Sequence, residues 1–265
     1  MCLPTVYIPH GGGPWPFVEV PFIPSGALEP LRSYLAGLVT ALPVRPRAVL
    51  IVSAHWEEPV ATLMTNPRPP MLYDYTGFGP DACRLQWPAP GAPFLVSRVR
   101  QLLADADFPT AEDPERGFDH GTFIPLMVAL PKADLPVLQL SLLRSLDPTE
   151  HLAIGRALAP LRDESILLLG SGNSYHNMSG FGHEESSEPS RAFDAWLAHA
   201  VTREPGERNR LLREWEQAPA ARHCHPREEH LLPLHVMAGA ALDDGATLPI
   251  RMKALGVHVS GVQFG

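Results

Sequence analysis

The sequence predicts an α/β fold, a single domain with a central, mostly parallel or mixed sheet flanked by helices. Three observations point there. Residues 47–53 and 165–169 are almost wholly apolar runs, the pattern of strands buried on both faces. Stretches with helical apolar spacing alternate with such runs, as layered α/β proteins require. A chain of 265 residues with 45% hydrophobic content is also long enough to bury one substantial core.

Taken in order, residues 3–8 form a short strand leading into the glycine turn Tyr7-Ile-Pro-His-Gly-Gly-Gly13. Residues 28–42 carry apolar side chains at helical spacing, from Leu31 and Leu35 to Leu38, Val39 and Leu42, and stop at Pro43. Residues 47–53 are a buried strand and residues 60–65 its neighbour. Residues 66–93, rich in proline and carrying Tyr73-Asp-Tyr-Thr-Gly-Phe78, are a long ordered loop, of the kind that forms lids and binding walls. Helices follow at 93–103 and 122–130, then a strand at 137–140. Asp147-Pro-Thr-Glu150 is a helix start, with Asp at the N-cap, Pro at N1 and Glu at N3, and this helix runs to about residue 161. The strand at 165–169 delivers Gly170-Ser-Gly-Asn-Ser-Tyr-His176. Residues 190–202 and 207–216 form a surface helical pair, 226–242 a helix carrying His230, and 250–264 one or two closing strands. Twenty-one glycines and thirty prolines fit many sharp loops on a globular scaffold.

Composition excludes several classes of function. A net charge of −8 without any Lys/Arg-rich run argues against nucleic-acid binding. No apolar stretch approaches the roughly 18 residues of a membrane span, and with Arg32 as the first basic residue no secretory leader is expected. Cys2, Cys83 and Cys224 are odd in number and widely spaced, as expected of reduced thiols in a cytoplasmic protein. No feature of the sequence specifies an oligomeric state.

Twelve histidines are the chemical signal. His10 lies in the glycine turn after the first strand, His55 in Ile51-Val-Ser-Ala-His-Trp-Glu-Glu58, and His120 in Arg116-Gly-Phe-Asp-His-Gly121. His176 follows the strand at 165–169, and His230 closes His225-Pro-Arg-Glu-Glu-His230. Two of these follow apolar strands, whose C-terminal ends are where open α/β sheets bind ligands. Neutral imidazole is the commonest metal ligand, so convergence there predicts a metal centre. On a helix, Glu228 and Glu229 would point away from the face carrying His230, so that segment offers either His230 or a glutamate. His223, Cys224 and His225 are too crowded to surround one ion, and His235 reads as structural. His10-Gly-Gly-Gly13 also matches the oxyanion-hole motif of some α/β-hydrolases. That fold needs a Gly-x-Ser-x-Gly elbow, however, and the nearest segment, Gly172-Asn-Ser-Tyr-His176, ends in histidine.

In their order, His10-Gly-Gly-Gly-Pro14, Ser53-Ala-His-Trp-Glu57, Tyr73-Asp-Tyr-Thr-Gly-Phe78, Arg116-Gly-Phe-Asp-His-Gly121, Gly170-Ser-Gly-Asn-Ser-Tyr-His-Asn177 and His225-Pro-Arg-Glu-Glu-His-Leu-Leu-Pro233 resemble the class III extradiol ring-cleavage dioxygenases, in the branch named for 4,5-DOPA dioxygenase. The three glycines after His10 depart from the Gly-Ser-Pro more usual there, close to the expected pocket. The resemblance implies a non-haem Fe(II) enzyme that inserts both atoms of O₂ into a small catechol such as L-DOPA. His10, His55 and His230 are then metal ligands, with Glu229 the alternative third. His176 is either a catalytic acid/base or a fourth ligand, and His120 stands near the substrate oxygens. The chemistry is coherent: facial three-ligand sites leave positions open, and a base titrating near neutrality suits the second catechol proton. Zn(II) would occupy the same ligands without supporting O₂ chemistry, so a zinc-dependent hydrolase built on the same histidines is the competing expectation.

Overall fold

The computed structural model describes residues 2–20 and 23–265. One mixed sheet of eight strands runs through it in the order β4-β3-β5-β2-β6-β1-β8-β7. The strands are β1 (Thr5–Pro9), β2 (Ala48–Glu58), β3 (Ala61–Met64), β4 (Thr110–Asp113), β5 (Val137–Leu143), β6 (Ile166–Gly172), β7 (Ala246–Ala254) and β8 (Val257–Phe264). Its centre, β5-β2-β6-β1, is parallel throughout. β8 joins β1 antiparallel and pairs with β7 as a hairpin, while β3 runs against β5.

Strand alternation sorts the apolar residues into two cores. Ala48, Leu50, Val52, Leu138, Leu140 and Leu168 face one side with α2 (Pro93–Ala104), α4 (Pro148–Leu158), α5 (Ser187–Val201) and α8 (Leu232–Ala240). Val6, Ile8, Val49, Ile51, Leu167 and Leu169 face the other, under α1 (Glu29–Gly37) and α3 (His120–Ala129). Both faces of the parallel strands are therefore covered, which is why 47–53 and 165–169 read as continuous apolar runs. Among the described residues α6 (Pro205–Arg213) and the one-turn α7 (Ala221–Cys224) complete the helices. None is long and apolar enough to cross a membrane.

The helix start at Asp147 forms as expected, its carboxylate accepting from Thr149 N at 2.6 Å with Pro148 at N1. Several elements differ from expectation: the helix expected at 28–42 ends at Gly37 and the one expected at 122–130 begins at His120. β4 was not anticipated, because this edge strand is short, polar and half exposed and carries no apolar alternation. β2 runs on to Glu58, so His55 lies within the strand and not beyond its end. The segment 226–242 is helical only from Leu232, with Pro233 in the first turn where its missing N–H is not needed. His230 therefore precedes the helix.

His151 shows how the core depends on neutral imidazole. Buried in α4, it accepts from Leu143 N at 3.1 Å through Nε2, while Nδ1 donates to Asp147 O at 2.7 Å. Burial is the main cause that lowers its pKa to about 4, against a rise from the Asp147 carbonyl. The unfolded chain binds this proton from about pH 6.5 downward, whereas the fold resists it to about pH 4. Stability present above pH 6.5 is accordingly lost as pH falls toward 4, by an amount on the order of 3 kcal/mol. Urea unfolding from pH 7.5 to 4 is expected to show a flatter pH dependence for His151→Asn than for wild type. Parallel profiles would remove His151 from the acid response.

Candidate active site

Three adjacent parallel strands release histidines at one edge of the sheet. His10 follows β1, and His10 N donates to Gly172 O at 3.0 Å. β6, paired between β1 and β2, ends at Gly172 and leads through Asn173 to His176. In β2 the pairing with β5 slips between Val52 and Glu57. Such a bulge re-aims the side chains it carries, and here it carries Ser53 and His55.

His230 arrives from the other side. Its carbonyl accepts from the Tyr7 hydroxyl at 2.8 Å and from Asn173 N at 3.2 Å. A Cβ on Gly172 would lie 2.1 Å from that carbonyl, so only glycine lets the turn before α8 rest on β6. Because residues 226–231 are a turn, Glu229 and His230 converge instead of diverging as on a helix. Glu229 Oε1 accepts from His230 Nδ1 at 2.8 Å and lies 3.3 Å from His176 Nδ1. The His176 and His230 rings stack, with centroids 3.3 Å apart.

Asp119 organises the opposite wall. It is wholly buried, caps α3 by accepting from Thr122 N at 3.1 Å, and accepts from Ser53 Oγ at 2.7 Å and Arg116 Nη2 at 3.0 Å. Gln139 of β5 donates to it as well. The next residue, His120, is thereby fixed at the helix start, and Asp74 of the long loop accepts from both its backbone N and its Nδ1 at 2.9 Å. Asp74 Oδ2 also lies 3.7 Å from His55 Nδ1.

His10 Nε2 and His55 Nε2 are 3.2 Å apart. That is close to the spacing of two imidazole nitrogens each roughly 2.1 Å from one ion. One ring nitrogen from each of His10, His55 and His230 lies within 4.8 Å of the other two. Buried His230 Nε2 has no hydrogen-bond partner, whereas its Nδ1 is held by Glu229, as in metal-binding imidazoles oriented by a carboxylate. Burial first, and then the neighbouring imidazoles, push His10 and His230 well below the ordinary histidine range. His55 falls to about 4, chiefly by burial and then by His120, against the pull of Asp119 and Asp74. All three rings are thus lone-pair donors at neutral pH. Two further groups, His55 with Asp74 and His120, and His176 with Glu229 and His230, have ligand-type spacing, but their acids are already engaged with their histidines. The donor set therefore fits a divalent metal at His10, His55 and His230.

A cavity of about 500 Å³ opens on this cluster, lined by His10, His55, His120, His176 and Asn173 and otherwise by glycine and apolar side chains. The long loop contributes Tyr75 and Phe78 to its wall. Tyr73 does not line it. Its hydroxyl donates to Leu85 O at 2.7 Å, and that of Tyr75 to Ala82 O at 2.6 Å, so both are spent inside the loop. Among the remaining histidines, His235 is buried between the carbonyls of Leu231 and Leu212, and His225 faces Ser174 O.

Residues 28–261 match the family described as the catalytic LigB subunit of aromatic ring-opening dioxygenase. The chain belongs to this family. It is 39% identical over 214 residues to a protein of Portulaca grandiflora named 4,5-DOPA dioxygenase extradiol, covering 79% of this chain and 78% of that one. A protein of the same name from Beta vulgaris is 40% identical, with 74% of each chain covered. The crystal structure of an uncharacterized protein from Escherichia coli K12 superimposes with a TM-score of 0.80 at 29% identity, covering 99% of this enzyme and all of that chain.

The sequence singled out all five histidines and offered Glu229 as an alternative ligand, but not as the residue that orients His230 and His176, and it gave no role to Asp74 or Asp119. Asp119 carried a usable signal, an N-cap type residue a few positions ahead of the helix expected at 122–130, which in fact begins at His120. Asp74 stood inside the motif Tyr73-Asp-Tyr-Thr-Gly-Phe78, but no local pattern marked it as the partner of His120. Replacing Asp119 by alanine leaves Ser53, Gln139, Arg116 and a helix N-terminus without their acceptor, an expected loss of roughly 2–4 kcal/mol in urea unfolding. A loss under about 1 kcal/mol would show this network to be peripheral.

Proposed function

We propose that this enzyme is an Fe(II)-dependent extradiol dioxygenase acting on a small catechol, with residues 1–265 as its single catalytic domain. One observation carries the reading. Three neutral imidazoles, His10, His55 and His230, bring ring nitrogens within 4.8 Å of one another beside a ligand-sized cavity lined by His10 and His55, and buried His230 Nε2 and His10 Nδ1 have no hydrogen-bond partner. These three would hold the metal, which when bound supplies redox chemistry toward O₂ and a positive centre for a catecholate. Glu229, the alternative third ligand, is better suited to orienting, since it already accepts from His230 and His176.

His176 is the proposed acid/base. With Nδ1–H on Glu229, Nε2 is left to accept the second catechol proton and return it during ring opening. Burial raises the Glu229 pKa, but hydrogen bonding from His176 and the charges of His176 and Arg227 outweigh it, so the acceptor stays ionised. His120, held through Nδ1 by Asp74, offers its other nitrogen to the substrate oxygens. For Asp74, too, the hydrogen bonds and charge of His120 outweigh burial and keep the carboxylate low. Zn(II) fits the same donors but not the O₂ chemistry. The three free cysteines support a reducing, cytoplasmic setting.

Iron-loaded protein is expected to consume one O₂ per monocyclic catechol and form a yellow ring-opened product. His10→Ala, His55→Ala and His230→Ala should each abolish stoichiometric iron binding with the fold retained. His176→Ala should keep iron and lose turnover by about 10²-fold or more. Absence of O₂ uptake across varied monocyclic catechols, with iron shown to be bound, would overturn the reading in favour of a zinc hydrolase. Loss of iron in His176→Ala would make His176 a fourth ligand.

A further inference from the structure

Apart from its histidines, no titratable side chain among the described residues lines the cavity other than Tyr75, whose hydroxyl is already bonded within its own loop. Among the described residues neither Lys, Arg, Asp nor Glu lines it. Ile23, Leu28, Leu31, Phe181, Leu255 and Val259 make up much of the remainder. The charged groups near the cluster are committed elsewhere. Arg116 donates to Asp119 and to His55 O and lies over the Trp56 ring. Arg227 forms a two-pronged pair with Glu57, and Asp74 and Glu229 hold histidines. The outer wall is itself anchored, since Gly182 N donates to Leu255 O at 2.7 Å and ties the 177–186 segment to the β7–β8 turn.

Resting on the extradiol reading above, we infer that the substituent this pocket selects on the catechol is uncharged and apolar, a short alkyl or aryl group. A carboxylate or ammonium laid against the apolar part of this wall would lose water with no oppositely charged side chain to replace it, which binding does not repay. Each methylene laid against the wall instead tightens binding by roughly fourfold. A zwitterionic amino-acid side chain, as on L-DOPA, is therefore the weaker ligand. Specificity resides in Leu255 and Phe181, away from the metal-binding imidazoles.

The test is anaerobic calorimetric titration of the iron-loaded enzyme with 4-methyl-, 4-ethyl- and 4-propylcatechol, 3,4-dihydroxyphenylacetate and L-DOPA, alongside O₂ uptake with the same compounds. Affinity is expected to rise severalfold with each methylene, and both charged catechols should bind at least about tenfold more weakly than 4-propylcatechol. Leu255→Arg, at a half-buried turn position, should weaken 4-propylcatechol and tighten 3,4-dihydroxyphenylacetate. Met178→Arg, at a cavity residue that is 68% exposed, makes the same test should Leu255→Arg fail to fold. A flat alkyl series, or charged catechols binding as well as 4-propylcatechol, overturns the inference. The expected binding order without any O₂ uptake would uphold the pocket assignment and remove the dioxygenase reading. O₂ uptake with L-DOPA preferred would do the reverse.

Discussion

The buried carboxylate of Asp119 is the constraint on which one half of the site depends. An ionised acid inside a protein is tolerated only when its lone pairs are filled, and the donors that fill these come from separate elements. Ser53 brings β2, Gln139 brings β5, Thr122 N brings the start of α3, and Arg116 brings the segment before it. Satisfying one charge thus fixes where β2 bulges and where α3 begins. His55, two residues beyond Ser53, and His120, the residue after Asp119, inherit their positions from that arrangement. Their rings end 4.0 Å apart between centroids.

The other half is set by backbone contact. The His230 carbonyl sits on Gly172 and takes donors from Tyr7 and Asn173, so a turn far along the chain is pinned across β1 and β6. Glu229 then has two imidazoles to hold in place of one. Each histidine of the cluster except His10 has a carboxylate within reach of its Nδ1. His10 instead has Asn173 beside its Nε2, at 3.4 Å. Five rings crowded together would repel one another if charged. Burial resolves this by keeping His10, His55 and His230 neutral, and neutral rings are what a metal needs.

What was legible in the sequence follows from this division. The parallel core was readable because strands covered on both faces have to be apolar throughout, and the α4 start because Asp147 and Pro148 are local signals. The five histidines were readable because they stand in glycine-rich or strand-end contexts, and their order along the chain carried the family. β4 was illegible because an exposed edge strand needs no apolar pattern. The pairing of Glu229 with His230 was misjudged because a helix was expected where Pro233 delays it to Leu232. Asp74, Ser53 and Asn173 act through partners distant in the chain, and nothing in their neighbours announces such partners.

The pocket adds a further separation. The groups suited to chemistry come from the ends of β1 and β6, from the bulge of β2, from the start of α3 and from the turn before α8, all tied into buried networks. The apolar wall comes from residues 23–31, from Phe181 and from the β7–β8 turn, whose side chains take no part in those hydrogen-bond networks. A substitution at Leu255 or Phe181 leaves the Asp119 and Glu229 networks intact, whereas one at Ser53 or Gly172 disturbs several histidines together. The fold can therefore retain one reactive centre while its wall is rebuilt for a different substituent. Loops carried on a rigid scaffold tolerate such change because the scaffold bears the cost of order.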